Sequence, residues 1–146
     1  MEEIQISIAH NQEEIFRLIR LREEVFVIEQ SVPLRVELDE EDDRATHLVA
    51  KAGREVVGTA RLVVKGSRGK IGRMAVRKGW RRKRIGERLV IALIPLARER
   101  GVTELVLHAQ LHAVPFYERQ GFQAEGSPFE EAGIPHISMR RSVETG

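Results

Sequence analysis

Apolar and polar residues follow two different periods along this chain. Segments in which apolar residues are dense or alternate with polar ones, a pattern typical of β-strands, occur at 4–10, 46–53, 55–66, 70–79, 103–110 and 136–141. Segments in which apolar residues return every three to four positions, a pattern typical of amphipathic helices, occur at 11–30, 85–100 and 113–121. The sequence therefore predicts the order β-α-β-β-β-α-β-α-β.

The predicted helices have identifiable ends. Asn11 is a capping residue before the first helix, and Gly101 is a C-cap residue that follows the second. Pro95 lies inside the second helix and is expected to interrupt or kink it, because proline lacks the backbone donor. Strands are in the majority, and two substantial helices must cover a mixed sheet. The predicted fold class is therefore α+β.

The composition fits one globular enzyme or binding domain. The 146 residues are 42% apolar and suffice for a buried core; with no repeat or linker, they predict a single domain over 1–146. Cysteine is absent, which excludes disulfides, thiolate metal sites and a cysteine nucleophile. The first ten residues lack a secretory-signal pattern, and no run of about 18 apolar residues indicates a membrane span. We therefore expect a soluble, cytoplasmic protein.

Charge is distributed unevenly, although the formal net charge is only +2. Residues 77–84, RKGWRRKR, include six basic side chains, whereas residues 37–43, ELDEEDD, are almost entirely acidic. Such blocks are typical of solvated loops. The acidic block could instead attract a cationic amine, and the basic block could bind nucleic acid or a ligand that carries phosphates.

The basic block lies between a predicted strand and a predicted helix. A helix N-terminus presents unpaired backbone N–H groups and the positive end of the helix dipole, which suit a phosphate. Gly86 has no side chain, so the backbone there can approach a ligand closely. This junction alone is a weak indication, because many strand–turn–helix units are purely structural.

Two segments taken together give a stronger indication. RRKRIG at 81–86 and QLHAVPFYERQGF at 110–122 resemble the pyrophosphate loop and the later Asn-x-x-Ala-x-x-x-Tyr and Gly-Phe segment of the Gcn5-related N-acetyltransferase (GNAT) superfamily. The resemblance covers nearly the whole chain and is strongest to small bacterial single-domain acetyltransferases. It implies an α/β/α sandwich around a mixed, mostly antiparallel sheet, with room for a further short helix after the first.

The resemblance also implies that the cofactor is acetyl-CoA (coenzyme A). Two residues depart from the family pattern. Arg84 stands at a usual glycine position, where its side chain either clamps the phosphates or must turn away from them. Gln110 replaces the family's asparagine, which moves the amide by one methylene. The implied cofactor-binding residues are Met74, Ala75, Val76, Arg81, Arg82, Lys83, Arg84, Ile85, Gly86, Gln110, Ala113 and Phe116.

Roles in acyl transfer follow from the same resemblance. The strand at 74–76 is expected to bind the pantetheine arm through its backbone, with an N–H near Val76 directed at the thioester oxygen as in an oxyanion hole. Tyr117, the only tyrosine, occupies the family's general-acid position and is expected to protonate the departing CoA thiolate. For both residues, ordinary core packing is the alternative interpretation.

A general base must take a proton from the acceptor ammonium, in many cases through water. Among the candidates for this base, His108 is slightly favoured because its strand leads to the splayed part of the family's sheet. The four candidates are His108, Glu29, Glu37 and Asp39.

The remaining histidines are expected to have no catalytic role. His112 could form a zinc pair with His108 only on a continuous helix, and the strand pattern there predicts no metal site. His47 and His136 are expected to be structural, hydrogen-bonded in or beside the sheet, and His10 to lie at the surface.

The leading hypothesis is an N-acetyltransferase that moves an acetyl group from acetyl-CoA to a small amine or a peptide amine by direct attack. One alternative is a nucleic-acid-binding domain that uses the 77–84 turn, although Trp80 is the only aromatic side chain there for base stacking. Another is an acyl-CoA-binding domain without catalysis, which Arg84 keeps open. We expect no nucleic-acid or membrane partner, and a homodimer is compatible with the resemblance.

Overall fold

The computed structural model describes residues 3–32 and 39–143. The strands and helices in these ranges are β1 Ile4–Ile8, α1 Gln12–Arg22, β2 Thr46–Ala52, β3 Glu55–Lys65, β4 Arg68–Val76, α2 Ile85–Glu99, β5 Glu104–Gln110, α3 Val114–Arg119, β6 Gln123–Glu131 and β7 Ile134–Ser142. Helix α1 continues into a wider, π-helical segment, Glu23–Glu29, and 3₁₀ turns lie at Glu40–Asp43 and Leu111–Ala113.

The strands form one sheet in the spatial order β1-β2-β3-β4-β5-β7-β6. Neighbouring strands are antiparallel except β4 and β5, which are parallel. A parallel pair needs a crossover connection, and α2 supplies it between these two strands. The predicted α+β class with a mixed, mostly antiparallel sheet is confirmed.

Helices cover both faces of the sheet, as in an α/β/α sandwich. Leu48 and Ala50 of β2 belong to a core with α2, whereas Val49 between them belongs to a second core with α1, because successive side chains of a strand point to opposite faces. The α2 face is the larger, and its fully buried side chains include Ile85, Leu89, Leu93, Leu105, Leu107, Phe122 and Met139.

Helix α2 continues through Pro95, so the predicted interruption does not occur. Pro95 is exposed, and the carbonyl of exposed Ile91 that it leaves unpaired can bond water instead. Gly101 ends the helix as predicted: its φ is +77°, and the Val102 N–H returns to the Ala97 carbonyl at 3.0 Å. Within the described ranges, no helix is both long and apolar enough to cross a bilayer.

Strand β6 is absent from the predicted order. Eight of its nine residues are exposed, so the alternation that identifies a half-buried strand is missing. Its pairing with β7 is also irregular, since Glu125 faces Ser138 and Phe129 faces His136, leaving Gly126–Pro128 bulged. Backbone pairing to β7, rather than side-chain burial, defines this edge strand.

Strands β4 and β5 separate to form a fork. They pair only over Arg68–Ile71 and Glu104–Leu107, so the rest of β4 and the end of β5 present unpaired backbone edges to each other. A bulge in β4 accompanies the separation, because Thr59 and Arg61 of β3 face Ala75 and Gly72, leaving one extra residue on β4. Such a bulge bends a strand and increases its twist. The fork is the feature that positions the candidate site.

The acidic block is folded onto buried arginines. Asp42 binds Arg22 through both oxygens, at 2.8 and 3.1 Å, and Arg22 is fully buried. Arg61, 3% exposed, donates to Asp39 at 2.7 Å and to Asp42 at 3.0 Å. The expectation of a solvated loop is therefore wrong for Asp39 and Asp42, because the charges they pair with lie inside the fold.

Candidate active site

A cleft of about 390 Å³ opens where β4 and β5 diverge. Backbone and side chains of the β4 bulge form one wall, and the end of β5 with α3 forms another. The residues that line it include Asp39, Met74, His108, Gln110, Tyr117 and Glu131. The fork therefore brings Tyr117 and His108 into one cavity with Met74, Gln110 and Ala113 of the predicted cofactor-binding set.

The backbone of the turn before α2 explains why the family usually has glycine at the position of Arg84. Arg84 is the N-cap residue of α2 and has φ +62°, in the left-handed region. A residue with a Cβ pays roughly 1 kcal/mol or more for this conformation, whereas glycine does not. No side chain caps the helix start, so the first N–H groups of α2 have no side-chain acceptor there.

The cations of the 77–84 turn divide into two groups. Arg77 binds Glu24 and Glu55, Arg81 binds Glu29, and Lys83 lies 5.1 Å from the centre of the Trp80 ring. The side chains of three exposed cations have no hydrogen bond, ion pair or ring contact with any residue of the described ranges: Lys78, Arg82 and Arg84. Their charge is therefore available to an anion from outside the chain.

Arg81 makes internal contacts. Its Nε donates to the Val76 carbonyl at 2.8 Å, and its Nη2 lies 2.7 Å from a Glu29 oxygen. The guanidinium thus fixes the turn against β4 and the π-helical segment. The prediction that Arg81 binds the cofactor remains a prediction, and in this structure its charge is already paired.

Val76 directs its backbone polar groups into the fork. The Arg77 N–H donates to Val57 at 2.8 Å, and bonded and non-bonded pairs alternate along an antiparallel ladder. Val76, the next residue and opposite Gly58, therefore points its N–H and carbonyl away from β3. The bond from Arg81 to the Val76 carbonyl agrees with this direction.

Gly86 lies where a side chain would fill the groove between α2 and α3. A Cβ there would lie 3.4 Å from the Phe116 ring and 3.9 Å from the Met74 sulfur. Gly86 thus keeps a narrow space open between the start of α2 and the bulge of β4. Ile85, by contrast, is buried in the α2 core, so only its backbone can contact a ligand.

Tyr117 places its hydroxyl in the same region. The oxygen lies 3.6 Å from the Met74 sulfur, and the ring contacts Phe116 and Phe122 edge-on, with ring centres 5.0 and 5.9 Å away. Burial raises the pKa of the phenol to about 12. The group is therefore neutral across the physiological pH range and can act only as a proton or hydrogen-bond donor to an anion.

Gln110 links β5 to a third element that lines the cleft. Its amide nitrogen donates to the Gln30 side-chain oxygen at 2.8 Å, and Gln30 follows the π-helical segment directly. The longer side chain of glutamine thus ties β5 to the end of the first helical segment. Its predicted contact with the cofactor is untested.

Two of the base candidates are already engaged by guanidinium groups. Asp39 accepts from Arg61 at 2.7 Å and from Arg73 at 3.0 Å, one bond on each oxygen. Glu29 accepts from Arg81 at 2.7 Å. Each of these carboxylates therefore already has a cationic hydrogen-bond partner within the fold. Glu37 lies outside the described residues.

His108 is the candidate that faces the cleft with a carboxylate partner. It is the first β5 residue beyond the pairing with β4, and its Nδ1 lies 2.8 Å from a Glu131 oxygen. Burial raises the pKa of Glu131, but the hydrogen bond and charge of His108, with smaller contributions from His136 and Lys70, outweigh it and lower the pKa.

The other histidines are placed as predicted. His47 and His136 are buried, and their rings lie 3.1 and 2.6 Å from the Asp42 and Ile134 carbonyls, while His10 is exposed. His108 lies on β5 and His112 in the following 3₁₀ turn, so they do not share a helix. Among the described residues, no group of three or more His, Asp or Glu side chains is arranged to hold a metal ion.

The cleft residues that sequence reasoning missed include Gln30, Arg73 and Glu131. Glu131 was missed together with β6, although Gly133, two residues later, is a turn signal. Arg73 has φ +52° in the bulge, and bulges leave no reliable pattern in a single sequence. Gln30 could be found only from its contact with Gln110, which is 80 residues away.

Comparisons with known proteins agree with this geometry. The model of the acetyltransferase (GNAT) domain matches residues 6–143. YjcF of Bacillus subtilis, described as an uncharacterized N-acetyltransferase, is 38% identical over 135 residues, which cover 92% of this chain and 96% of YjcF. The crystal structure of an acyl-CoA N-acyltransferase from Pseudomonas aeruginosa has a TM-score of 0.84 and 30% identity, covering 97% of this chain and 99% of that one.

A more distant structure shares the fold alone. An aminoglycoside 6′-N-acetyltransferase complexed with coenzyme A has a TM-score of 0.77 at 17% identity, with 96% of this chain and 97% of that chain covered. The family model spans nearly the whole sheet, including the fork and the turn before α2. The chain therefore belongs to the GNAT acetyltransferase family.

Proposed function

We propose that this protein transfers an acetyl group from acetyl-CoA to a primary amine by direct attack. The observation that carries the proposal is the fork between β4 and β5, at which the uncapped start of α2, the outward-facing Val76 N–H and the Tyr117 hydroxyl converge. Each of these groups suits a different part of an acyl-CoA thioester. Their common location supports one elongated ligand rather than three unrelated features.

The turn before α2 fits the pyrophosphate. Backbone N–H groups at a helix start and the helix dipole favour an anion, and the side chains of Arg82 and Arg84 are exposed with no partner in the described ranges. Gly86 leaves the groove toward Met74 open. These residues would hold the nucleotide end, and the unpaired edge of β4 would hold the extended arm by backbone hydrogen bonds.

The chemistry needs a neutral amine, a stabilised oxygen and a stabilised leaving sulfur. The bound cofactor supplies the acetyl group as a thioester, an acyl donor toward amines. The Val76 N–H would donate to the carbonyl oxygen, where negative charge develops. Tyr117 would donate to the departing sulfur; because its pKa is about 12 and that of a thiol about 8.5, a hydrogen bond is favoured over complete proton transfer.

Binding and turnover test the proposal separately. We expect acetyl-CoA to raise the melting temperature, and a duplex DNA oligonucleotide at physiological salt to leave it unchanged. Release of free CoA thiol is then measured with a panel of amines that includes benzylamine, ethanolamine, spermidine and a glycine ester. Stabilisation by DNA alone would favour the nucleic-acid hypothesis, while stabilisation by acetyl-CoA without thiol release would favour a non-catalytic acyl-CoA-binding domain.

A further inference from the structure

The β6–β7 hairpin brings a carboxylate to the mouth of the fork. Its two-residue turn, Ala132 and Gly133, has φ of 52° and 76°, as a tight hairpin turn with two left-handed residues requires. Glu131 is the last residue of β6 and faces Ile134 across that turn. The hairpin therefore fixes Glu131 over the end of β5, where His108 lies.

We propose that His108 is the general base of the transfer reaction and that Glu131 positions it, an inference that rests on the proposed acetyltransferase function. His108 lines the cleft together with Tyr117. It begins the part of β5 that is not paired with β4, and its Nδ1 lies 2.8 Å from Glu131. Base, orienting carboxylate and hydroxyl donor thus surround one cavity.

The hydrogen bond to Glu131 decides which nitrogen can act as the base. A carboxylate only accepts hydrogen bonds, so the bonded Nδ1 carries the proton of the neutral ring. The lone pair is then on Nε2, at the opposite side of the ring. Phe129 packs edge-on against the same ring, with centres 5.0 Å apart, which further restricts its orientation.

Several other charged groups surround this pair. From β7, His136 lies 3.7 Å from the second oxygen of Glu131, and from β4, Lys70 contributes positive charge near the same carboxylate. Asp39, Arg73 and His112 complete the titratable or charged side chains that line the cleft, with Tyr117. Asp39 and Arg73 pair with each other at 3.0 Å, which leaves Glu131 as the carboxylate that contacts His108.

The proton balance of the step is complete without another reactant. The acceptor ammonium has three N–H protons, and the amide product has one. One proton leaves before attack and one as the C–N bond forms and the C–S bond breaks. His108 Nε2 takes these protons in turn; one is passed to solvent and one ends on the CoA sulfur, so that neutral thiol is released.

The tautomer can be tested without any acceptor. In long-range ¹H–¹⁵N spectra of the full chain above neutral pH, we expect the His108 ring, assigned with His108→Gln among the five histidines, to carry its proton on Nδ1. Glu131→Ala should abolish that preference. A His108 ring protonated on Nε2 in the unsubstituted protein would contradict the inference whatever the activity shows.

Kinetics test the base itself, with the panel amine that gives the fastest thiol release. His108→Gln should lower kcat about 100-fold or more, remove the acidic limb of the pH–rate profile and leave the Kd of acetyl-CoA within about twofold. Glu131→Gln, which keeps an acceptor but removes the charge, should lower kcat less than His108→Gln does, because the ring loses its charge-assisted bond. His10→Gln, the same change at an exposed site, should change neither kcat nor the pH–rate profile.

The outcomes separate the two proposals. An unsubstituted protein that binds acetyl-CoA but acetylates no amine contradicts the proposed function and, with it, the role of His108. Turnover by the unsubstituted protein with the acidic limb intact in His108→Gln contradicts only the base. A kcat that falls in His108→Gln but is unchanged in Glu131→Gln contradicts only the positioning role of Glu131.

Discussion

The hydroxyl of Tyr117 lies 3.6 Å from the sulfur of Met74. Met74 lies in the bulge of β4, whereas Tyr117 lies on α3, so the contact joins the two walls of the fork. The phenol is thereby held at the side of the cleft that β4 lines, and no charged side chain of residues 3–32 or 39–143 pairs with it. The raised pKa of Tyr117 follows from this buried position.

Tyr117 offers a clean spectroscopic prediction because it is the only tyrosine. Since burial raises its pKa to about 12, tyrosinate absorbance should appear near pH 12 in the folded protein and near pH 10 in urea. The donor form is lost only as pH rises through the folded-state pKa. A folded-state transition near pH 10 would show that the phenol is not desolvated.

Replacing the same hydroxyl should affect turnover more than binding. Tyr117→Phe removes the donor to the leaving sulfur but keeps the ring contacts with Phe116 and Phe122. We expect kcat to fall roughly 10-fold to 100-fold, with the Kd of acetyl-CoA within about twofold. Turnover equal to that of the unsubstituted protein would mean that another group or water stabilises the departing sulfur.

Arg84 is predicted to have a strained backbone and a side chain that contacts the cofactor. Its φ of +62° suits glycine, so Arg84→Gly should leave the free energy of unfolding within about 1 kcal/mol. The lost guanidinium should weaken acetyl-CoA binding roughly 10-fold to 100-fold, the range of one charge-assisted hydrogen bond. Calorimetric titration measures the Kd of acetyl-CoA for the unsubstituted protein and for Arg84→Gly. Tighter binding by Arg84→Gly would identify the side chain as an obstruction.

The open groove at Gly86 gives a steric test. Gly86→Val would add a branched side chain at a position where an added Cβ alone would lie 3.4 Å from Phe116. We expect acetyl-CoA affinity to fall about 10-fold or more, a loss of roughly 1.4 kcal/mol of binding free energy. Gly79→Val, at a position whose Cβ would meet no atom within 4 Å, is the matched control. Equal losses in the two variants would point to a disturbed turn rather than a filled groove.

The buried ion network predicts acid sensitivity. Although burial acts to raise the pKa of Asp42, the bonds from Arg22 and Arg61 outweigh it and lower the pKa from 3.8 to about 2. Because the pKa is lowered in the folded state, the Asp42 carboxylate contributes about 2 kcal/mol to the free energy of unfolding. This contribution is present above pH 3.8 and is lost as pH falls through 2. Urea denaturation between pH 5 and 2 measures it.

Substitution at this network has a matched control nearby. Asp42→Asn leaves the buried Arg22 charge only partly satisfied and should cost about 3 kcal/mol at neutral pH. Exposed Asp43, which has no partner among the described residues, should tolerate Asp43→Asn within about 0.5 kcal/mol. Comparable losses in both variants would mean that the acidic turn, not the Asp42–Arg22 pair, supplies the stability.

The sequence predicted those parts of the fold that depend on local period. Leu89 and Leu93 repeat at helical spacing, and Leu105 and Leu107 alternate along a strand, because each pair faces the same core. The exposed strand β6 has no such pattern. The family motif located Tyr117 and the basic turn, whereas Glu131 depends on a hairpin that only backbone pairing defines.

Long-range pairing explains the remaining difference. Asp39 looked like a candidate base in a solvated acidic run, but Arg61 and Arg73, 22 and 34 residues away, occupy both of its oxygens. No periodicity connects residues at such separations. Charge runs therefore locate potential sites, while the fold decides which charges stay available.

The divergence of β4 from β5 leaves main-chain groups of both strands unpaired along the fork. Under the proposed function, the ligand arm would be recognised by these main-chain groups, which every residue type supplies. Side chains along the fork could then change over evolutionary time without loss of the acyl donor. This separation would let members of one family acquire different acceptors while the donor half of the site stays constant.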